Sequence, residues 1–539
     1  MKFKRNNTGR IYIKEWLKLK PYSDHSNTDI YYLQLCNSAK KSLLAQYKDG
    51  FDKYLDEKEI NLLSCLLVSY FEDIISETGI FTAFTNKHKE LYGKRLPFYE
   101  TEDYYVNDIN IQDVRFLLWY FINTIQDLYF VSPYNELISI AAKDLMALFE
   151  EEYEYAPENN ELKKQYSLPE DETDYYICRE LINKILFNTY LFYPDTRFAL
   201  DKKLTDIIKS HRNDEFLTGY LNDAQDALTY SLRTKLLSIS GQEWAAEILG
   251  KDHPLHKDFL NISPKITGYF LYKGQDSENL FLEHIASGKR FNLTKKSFET
   301  SFIPSRVDTI LYMGIILWRQ EWWFSGIHVQ IDYNDELVRN QKQSIEAKND
   351  VEFLDNNEDK IKETLNLQNE IFLKFNNGKP IAFLPAGEID TFIQDFINYY
   401  QESLTVPENK TGKHKKRPDP PATTDIEDYE FDEHFQTGLV FFNPKSGIQI
   451  AFDVNSAFPM KENNFFREEK SARDVKSLFF DESISPELAK YCLDNFKDSL
   501  PFFKTPEGKI FVEHPDFLLR FFKTANYHSK PQINMIDRK

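Results

Sequence analysis

The sequence predicts a mainly α protein with an α+β C-terminal part: an irregular N-terminal helical bundle, a small central β-barrel-like meander and a C-terminal α+β unit. Three observations carry this. Apolar residues recur at helical spacing from about residue 28 to 260, short apolar runs split by turn signals follow from Pro264, and hairpin patterns return after a charged stretch. A single core stops growing near roughly 250–300 residues, so 539 residues should form about two to four domains. The expected boundaries are 1–262, 263–332, a charged linker helix over 333–366, and 367–539 with a disordered insert near 407–428.

The first strong helix lies over residues 56–76. Ile60, Leu63, Leu67, Tyr70 and Ile74 fall on one face while Leu62, Leu66 and Phe71 fill the others, so it should be central. A second buried helix starts at Asn110, a good N-cap, and runs through Phe116, Leu117, Trp119, Tyr120 and Phe121. Ser132-Pro133 restarts a helix that fades into Glu150-Glu151-Glu152, and another spans 176–191. Strands follow at 266–272, 280–285, 290–293, 309–318 and 321–330, a number that suits a small barrel. In the last unit, arms at 370–375 and 380–384 around Asn376-Asn377-Gly378 read as a hairpin, followed by a helix over 387–404. A second hairpin joins 439–442 to 448–452, and helices over 485–496 and 514–524 close the chain.

Composition limits the function. Hydrophobic residues at 42% and charged residues at 28% give a globular balance, and 44 Phe with 32 Tyr make the interior ring-rich. No apolar run is long enough to span a membrane, no secretion signal opens the chain, and the four cysteines are far apart, so a reduced, cytoplasmic protein is expected. The net charge of −19 disfavours nucleic acid and points to a protein partner; the basic exceptions are Lys2, Lys4, Arg5 and Arg10 and the run 413–417.

One long pattern is specific. Tyr70-Phe71-Glu72-Asp73-Ile74-Ile75 through Phe81, then His88-Lys89-Glu90-Leu91-Tyr92-Gly93, Leu96-Pro97-Phe98-Tyr99 and Asp113-Val114-Arg115-Phe116 follow Glu15-Trp16 and Lys20-Pro21-Tyr22. Over most of the first 260 residues this resembles an uncharacterised family of Bacteroides-type bacteria, the DUF3843 family. The resemblance implies no activity.

Function is therefore sought in the residues. Glu72 and Asp73 sit in the apolar central helix, where an unpaired charge costs several kcal/mol, so they need partners or a solvent-filled cleft. Arg115, the only cation between residues 111 and 128, is the expected partner, giving a structural ion pair. The sharper reading joins Glu72, Asp73, Glu77, His88 and Asp108 into an acid–base site of a hydrolase or nuclease. Adjacent carboxylates point about 100° apart on a helix and no Glu-x-x-His accompanies them, so no metal site is expected. His253 and His256 flank a proline in a loop with no third ligand. No Gly-x-Ser-x-Gly elbow, P-loop or dinucleotide fingerprint occurs, and no cofactor is expected. Trp318, Trp322 and Trp323 read as barrel core or as a stacking platform, with at least one ring exposed, because Trp322 and Trp323 point to opposite faces. The favoured function is a non-enzymatic interaction or scaffold protein.

Overall fold

The computed structural model describes residues 9–126, 129–299, 302–344, 347–348, 351, 358–404, 436–529 and 531. The chain divides into two compact units, Met1–Asp355 and Asn356–Lys539. The insert near 407–428, the basic run 413–417 and the lysines before residue 9 lie outside the described residues.

In the first unit the Glu57–Ile75 helix is buried on nearly all sides. Asp56 caps it by accepting from the Glu59 N–H at 2.8 Å while Glu59 reaches back to the Asp56 N–H, a reciprocal pair that satisfies two orphan donors. The Ile111–Ile125 helix is the second buried element. Asn110 occupies its N-cap position, but its side chain instead holds the incoming loop, accepting from the Tyr105 N–H at 2.9 Å. The helices Glu136–Glu152 and Tyr175–Asn188 match the periodicity read for them.

Five strands follow: β1 Ile266–Gln275, β2 Asn279–His284, β3 Arg290–Thr294, β4 Ile310–Trp318 and β5 Glu321–Ile331. They close in the order β1-β2-β3-β5-β4. Three strands meander, β4 returns beside β1, and the ring shuts through one parallel pair, Leu293 opposite Trp322. This is a five-stranded Greek-key barrel, the architecture of the oligonucleotide/oligosaccharide-binding fold. Alternation sends Phe270, Tyr272, Leu280, Leu282, Phe291 and Leu293 inward. Arg319 and Gln320, at φ 46° and 69°, make the two-residue turn between β4 and β5, where positive φ at both positions matches the strand twist.

Three of the barrel's outer faces are covered. The helix Asp335–Gln343 packs Val338 and Leu337 against Leu271, Ile285 and Ile310. Tyr176, from the Tyr175–Asn188 helix, donates its hydroxyl to the carbonyls of Ser297 and Phe324. From the Leu217–Ser231 helix, Asp226 accepts from Ser325 at 2.8 Å, Lys265 at 2.7 Å and Arg179 at 3.1 Å. Gly326, at φ +87°, passes so close that an added Cβ would lie 2.7 Å from both Lys265 Nζ and Asp223 Oδ1. The backbone conformation favours glycine there, and a Cβ would also have to displace the ion-paired ends of Lys265 and Asp223.

The second unit holds a three-stranded sheet of β6 Ile381–Pro385, β7 Thr437–Asn443 and β8 Gly447–Phe452, in the order β6-β7-β8. One face packs Val440 and Phe442 on the helices Glu358–Phe375 and Ile389–Leu404. The other carries Phe441 against Tyr491 of the Pro486–Phe496 helix. The predicted first hairpin is corrected: residues 370–375 end the Glu358–Phe375 helix. Buried Leu365, Gln368 and Phe372 recur at helical spacing, and the Asn376-Asn377-Gly378 turn joins a helix to β6 instead of two strands.

Candidate functional site

Glu72 and Asp73 are 0% and 2% exposed, so they lie within the helical body and not at a cleft. Glu72 pairs with Lys20 and accepts from the Asn159 amide at 2.9 Å. The Lys20 ammonium also sits 3.8 Å from the centre of the Trp16 ring, and Trp16 Nε1 donates to Asp29 at 2.8 Å. Tyr22 closes the network by donating to Asp29 at 2.9 Å and receiving the Asn159 amide. Burial pushes the Glu72 carboxyl up while the Lys20 charge and the Asn159 hydrogen bond pull it back.

Asp73 does a different task. Its carboxylate accepts from the Phe81 N–H at 2.8 Å, the Ile80 N–H at 3.2 Å, the Tyr190 hydroxyl at 2.8 Å and the Thr78 hydroxyl. Gly79, at φ 80°, turns the chain between them, so Asp73 caps the Ile80–Tyr92 helix from the end of the preceding one. Burial raises its pKa against these four donors.

The expected pairing with Arg115 is overturned. Arg115 is half-buried and bonds neither carboxylate, and among the described residues its Nε has no acceptor. Asp113, two residues earlier, is the side chain that faces the central helix, accepting from Tyr70 at 2.7 Å and Tyr104 at 3.2 Å; two residues rotate a helix by about 200°, which turns Arg115 away. Asp113 is fully buried, one of its oxygens has no hydrogen-bond partner among the described residues, and burial pushes its carboxyl up to about 7. His88, 1% exposed, holds the Lys94 carbonyl at 2.6 Å, and burial pushes it down to about 4. Glu77 is exposed and meets Lys163, while Asp108 accepts from its own neighbour's Ile109 N–H. These residues do not converge, and among the described residues no group of three His, Cys, Asp or Glu is arranged to hold a metal. Likewise, no helix among them is long and apolar enough to cross a membrane.

The tryptophans separate as well. Trp318 is 1% exposed, stacks edge-on to Phe259 at 5.5 Å and donates to the Thr173 carbonyl. Trp323, 3% exposed, lies between Tyr175 and Tyr176 at 5.7 and 5.8 Å. Both fasten the barrel to the helical body. Trp322 points the other way, half-buried, with its ring 4.9 Å from that of Phe291.

Trp322 also borders a groove of the barrel, about 830 Å³ in volume. Residues 277–279 at the β1–β2 loop form one wall and residues 320–322 at the β4–β5 turn another; Arg290, Asn292, Lys295 and Lys296 from β3 and its continuation run between. Among the described residues no helix packs over the β2–β3 face, where Arg290 and Asn292 are exposed and Phe281 half-buried. Sequence reasoning missed these three cations, although with Lys289 they make four between residues 289 and 296 with no carboxylate among them. It also missed Lys20 and the Asp226 cluster, whose partners lie far away along the chain.

No curated protein and no solved structure matches this chain. A family model described as "Protein of unknown function (DUF3843)" matches residues 10–291, just over half of the 539 residues. The matched segment takes in Asp73 and, from the buried network around Glu72, Trp16, Lys20, Tyr22 and Asn159. The chain belongs to the DUF3843 family.

Proposed function

We propose that this is a non-enzymatic cytoplasmic binding protein, in which the helical body holds the barrel and the barrel's β2–β3 face takes a macromolecular ligand. The observation that carries this reading is the groove of about 830 Å³ on the barrel's β2–β3 side, which no helix covers among the described residues, while helices pack against the barrel elsewhere. The β2–β3 face and the β1–β2 and β4–β5 loops are where barrels of this architecture engage ligands, although architecture alone never fixes function. A hydrolase or nuclease built on Glu72 and Asp73 has less support, because both carboxylates are sealed and fully engaged in packing roles.

Affinity purification from the native cell, run in parallel with wild type and Arg290→Glu/Lys296→Glu, tests the reading. Both side chains are exposed, at 80% and 63%, so the variant should fold and melt like wild type. A component recovered with wild type and lost with the variant is expected. Identical recovery would remove the groove as the binding face.

A further inference from the structure

Resting on that reading of the β2–β3 face, we propose that its ligand is a single-stranded nucleic acid. Residues 289–296 read Lys-Arg-Phe-Asn-Leu-Thr-Lys-Lys, four cations and no carboxylate in eight residues. Strand alternation buries Phe291 and Leu293 and leaves Arg290 and Asn292 exposed, so charge is displayed along the outside of β3 and rings lie beneath it. Trp322 borders the groove at one end, and half-buried Phe281 lies across from Asn292 on the neighbouring strand. A cationic track beside aromatic rings is what a flexible strand of phosphates and unpaired bases requires.

The net charge of −19 does not oppose this locally. Charges more than about 8 Å away are largely screened at physiological salt. Within residues 263–332 there are eight Lys and Arg against seven Asp and Glu, whereas the whole chain has 66 against 85. The groove cations have carboxylate neighbours, Lys296 with Glu321 at 2.8 Å and Arg290 with Glu283 at 3.5 Å. Ion pairs this exposed are weak and exchange readily for phosphate.

Other polymers fit less well. A neutral oligosaccharide would make no use of the cationic run 289–296. A protein interface is centred on buried apolar anchors and is poor in Lys and Glu, the opposite of this groove. A duplex hides its bases from the rings.

The test is fluorescence anisotropy of the full chain with labelled single strands of dT and rU, about 15 nucleotides long, and a duplex of equal length. Single strands should bind at least tenfold more tightly than duplex. With three cations engaged, the log–log salt slope should be near −2, about 0.7 per phosphate. Arg290→Glu/Lys296→Glu should weaken binding at least tenfold with an unchanged melt, and Trp322→Ala by roughly five- to hundredfold, as loss of one stacked base predicts. Should Trp322→Ala prove unstable, the double variant alone decides.

No binding of either strand by wild type at low salt, or binding that the double variant leaves intact, would overturn the assignment. If the cell-derived component lost from the double variant is a polypeptide or a glycan, the nucleic-acid assignment falls and the binding face stands. If the variant matches wild type in both assays, both fall.

Discussion

Lys20 and Glu72 form an ion pair whose side chains are 2% and 0% exposed, and Lys296 and Glu321 form one at 63% and 43%. The chemistry is the same in the helical body and on the barrel, but the surroundings assign opposite roles. Around Glu72 every neighbour is a protein group, including Asn159, Ser69 through Lys20, and the Trp16 ring, so the pair organises three chain segments and offers nothing to a ligand. Lys296 is mostly exposed to solvent, and the pair can be given up at little cost. Charge in an apolar helix, which draws attention in a sequence, here marks architecture; charge on a short strand, which draws little, marks the open surface.

The comparison breaks most visibly at Lys20. Lys20→Ala should cost about 3–5 kcal/mol in denaturant unfolding of the first unit, because it leaves Glu72 buried and uncompensated. Lys20→Met/Glu72→Gln together should recover much of that loss, since the cost lies in the stranded charge. A loss below about 1 kcal/mol for the single variant would place the pair in the exposed class.

A titration sharpens the same contrast. Asp113 has its carboxyl pushed up to about 7 by burial, above the ordinary value of 3.8. A raised folded pKa means the native state holds a proton the unfolded chain has released. Its contribution is therefore fully present below about 4 and is lost as pH rises through 7, by at most about 4 kcal/mol. Asp113→Asn cannot titrate, so the stability of wild type relative to this variant should fall between pH 4.5 and 7.5. A difference that stays flat with pH would mean Asp113 titrates as an ordinary surface carboxylate.

How far the sequence discloses such distinctions depends on distance along the chain. The five barrel strands were legible because each is a short apolar run with a nearby turn signal, such as Lys273-Gly274 or Arg319-Gln320. Residues 370–375 misled for the same reason: Ile371, Phe372 and Phe375 favour strands and precede a strong turn, while the helical spacing from Leu365 and Gln368 begins outside the short window. Partnership was less legible still. Lys20 lies 52 residues from Glu72, ahead of the first long helix, and nothing local links them. The basic run of β3 was visible throughout, but a chain-wide charge of −19 hid its local meaning.

Arg115 provides the smallest expected effect. Had it neutralised Glu72 or Asp73, Arg115→Ala would cost about 3–5 kcal/mol, as removal of one member of a buried pair does. In the structure it is half-buried, its Nε has no acceptor among the described residues, and both carboxylates are satisfied by other donors. What the substitution removes is a half-buried aliphatic stem and a charge that the Tyr99 phenol feels. The expected loss is under about 1 kcal/mol, the range of exposed contacts. Denaturant melts of Arg115→Ala beside Lys20→Ala would thus separate two cations that the sequence makes look interchangeable as partners for the central helix. Equal losses would show that the partnership has been assigned to the wrong one.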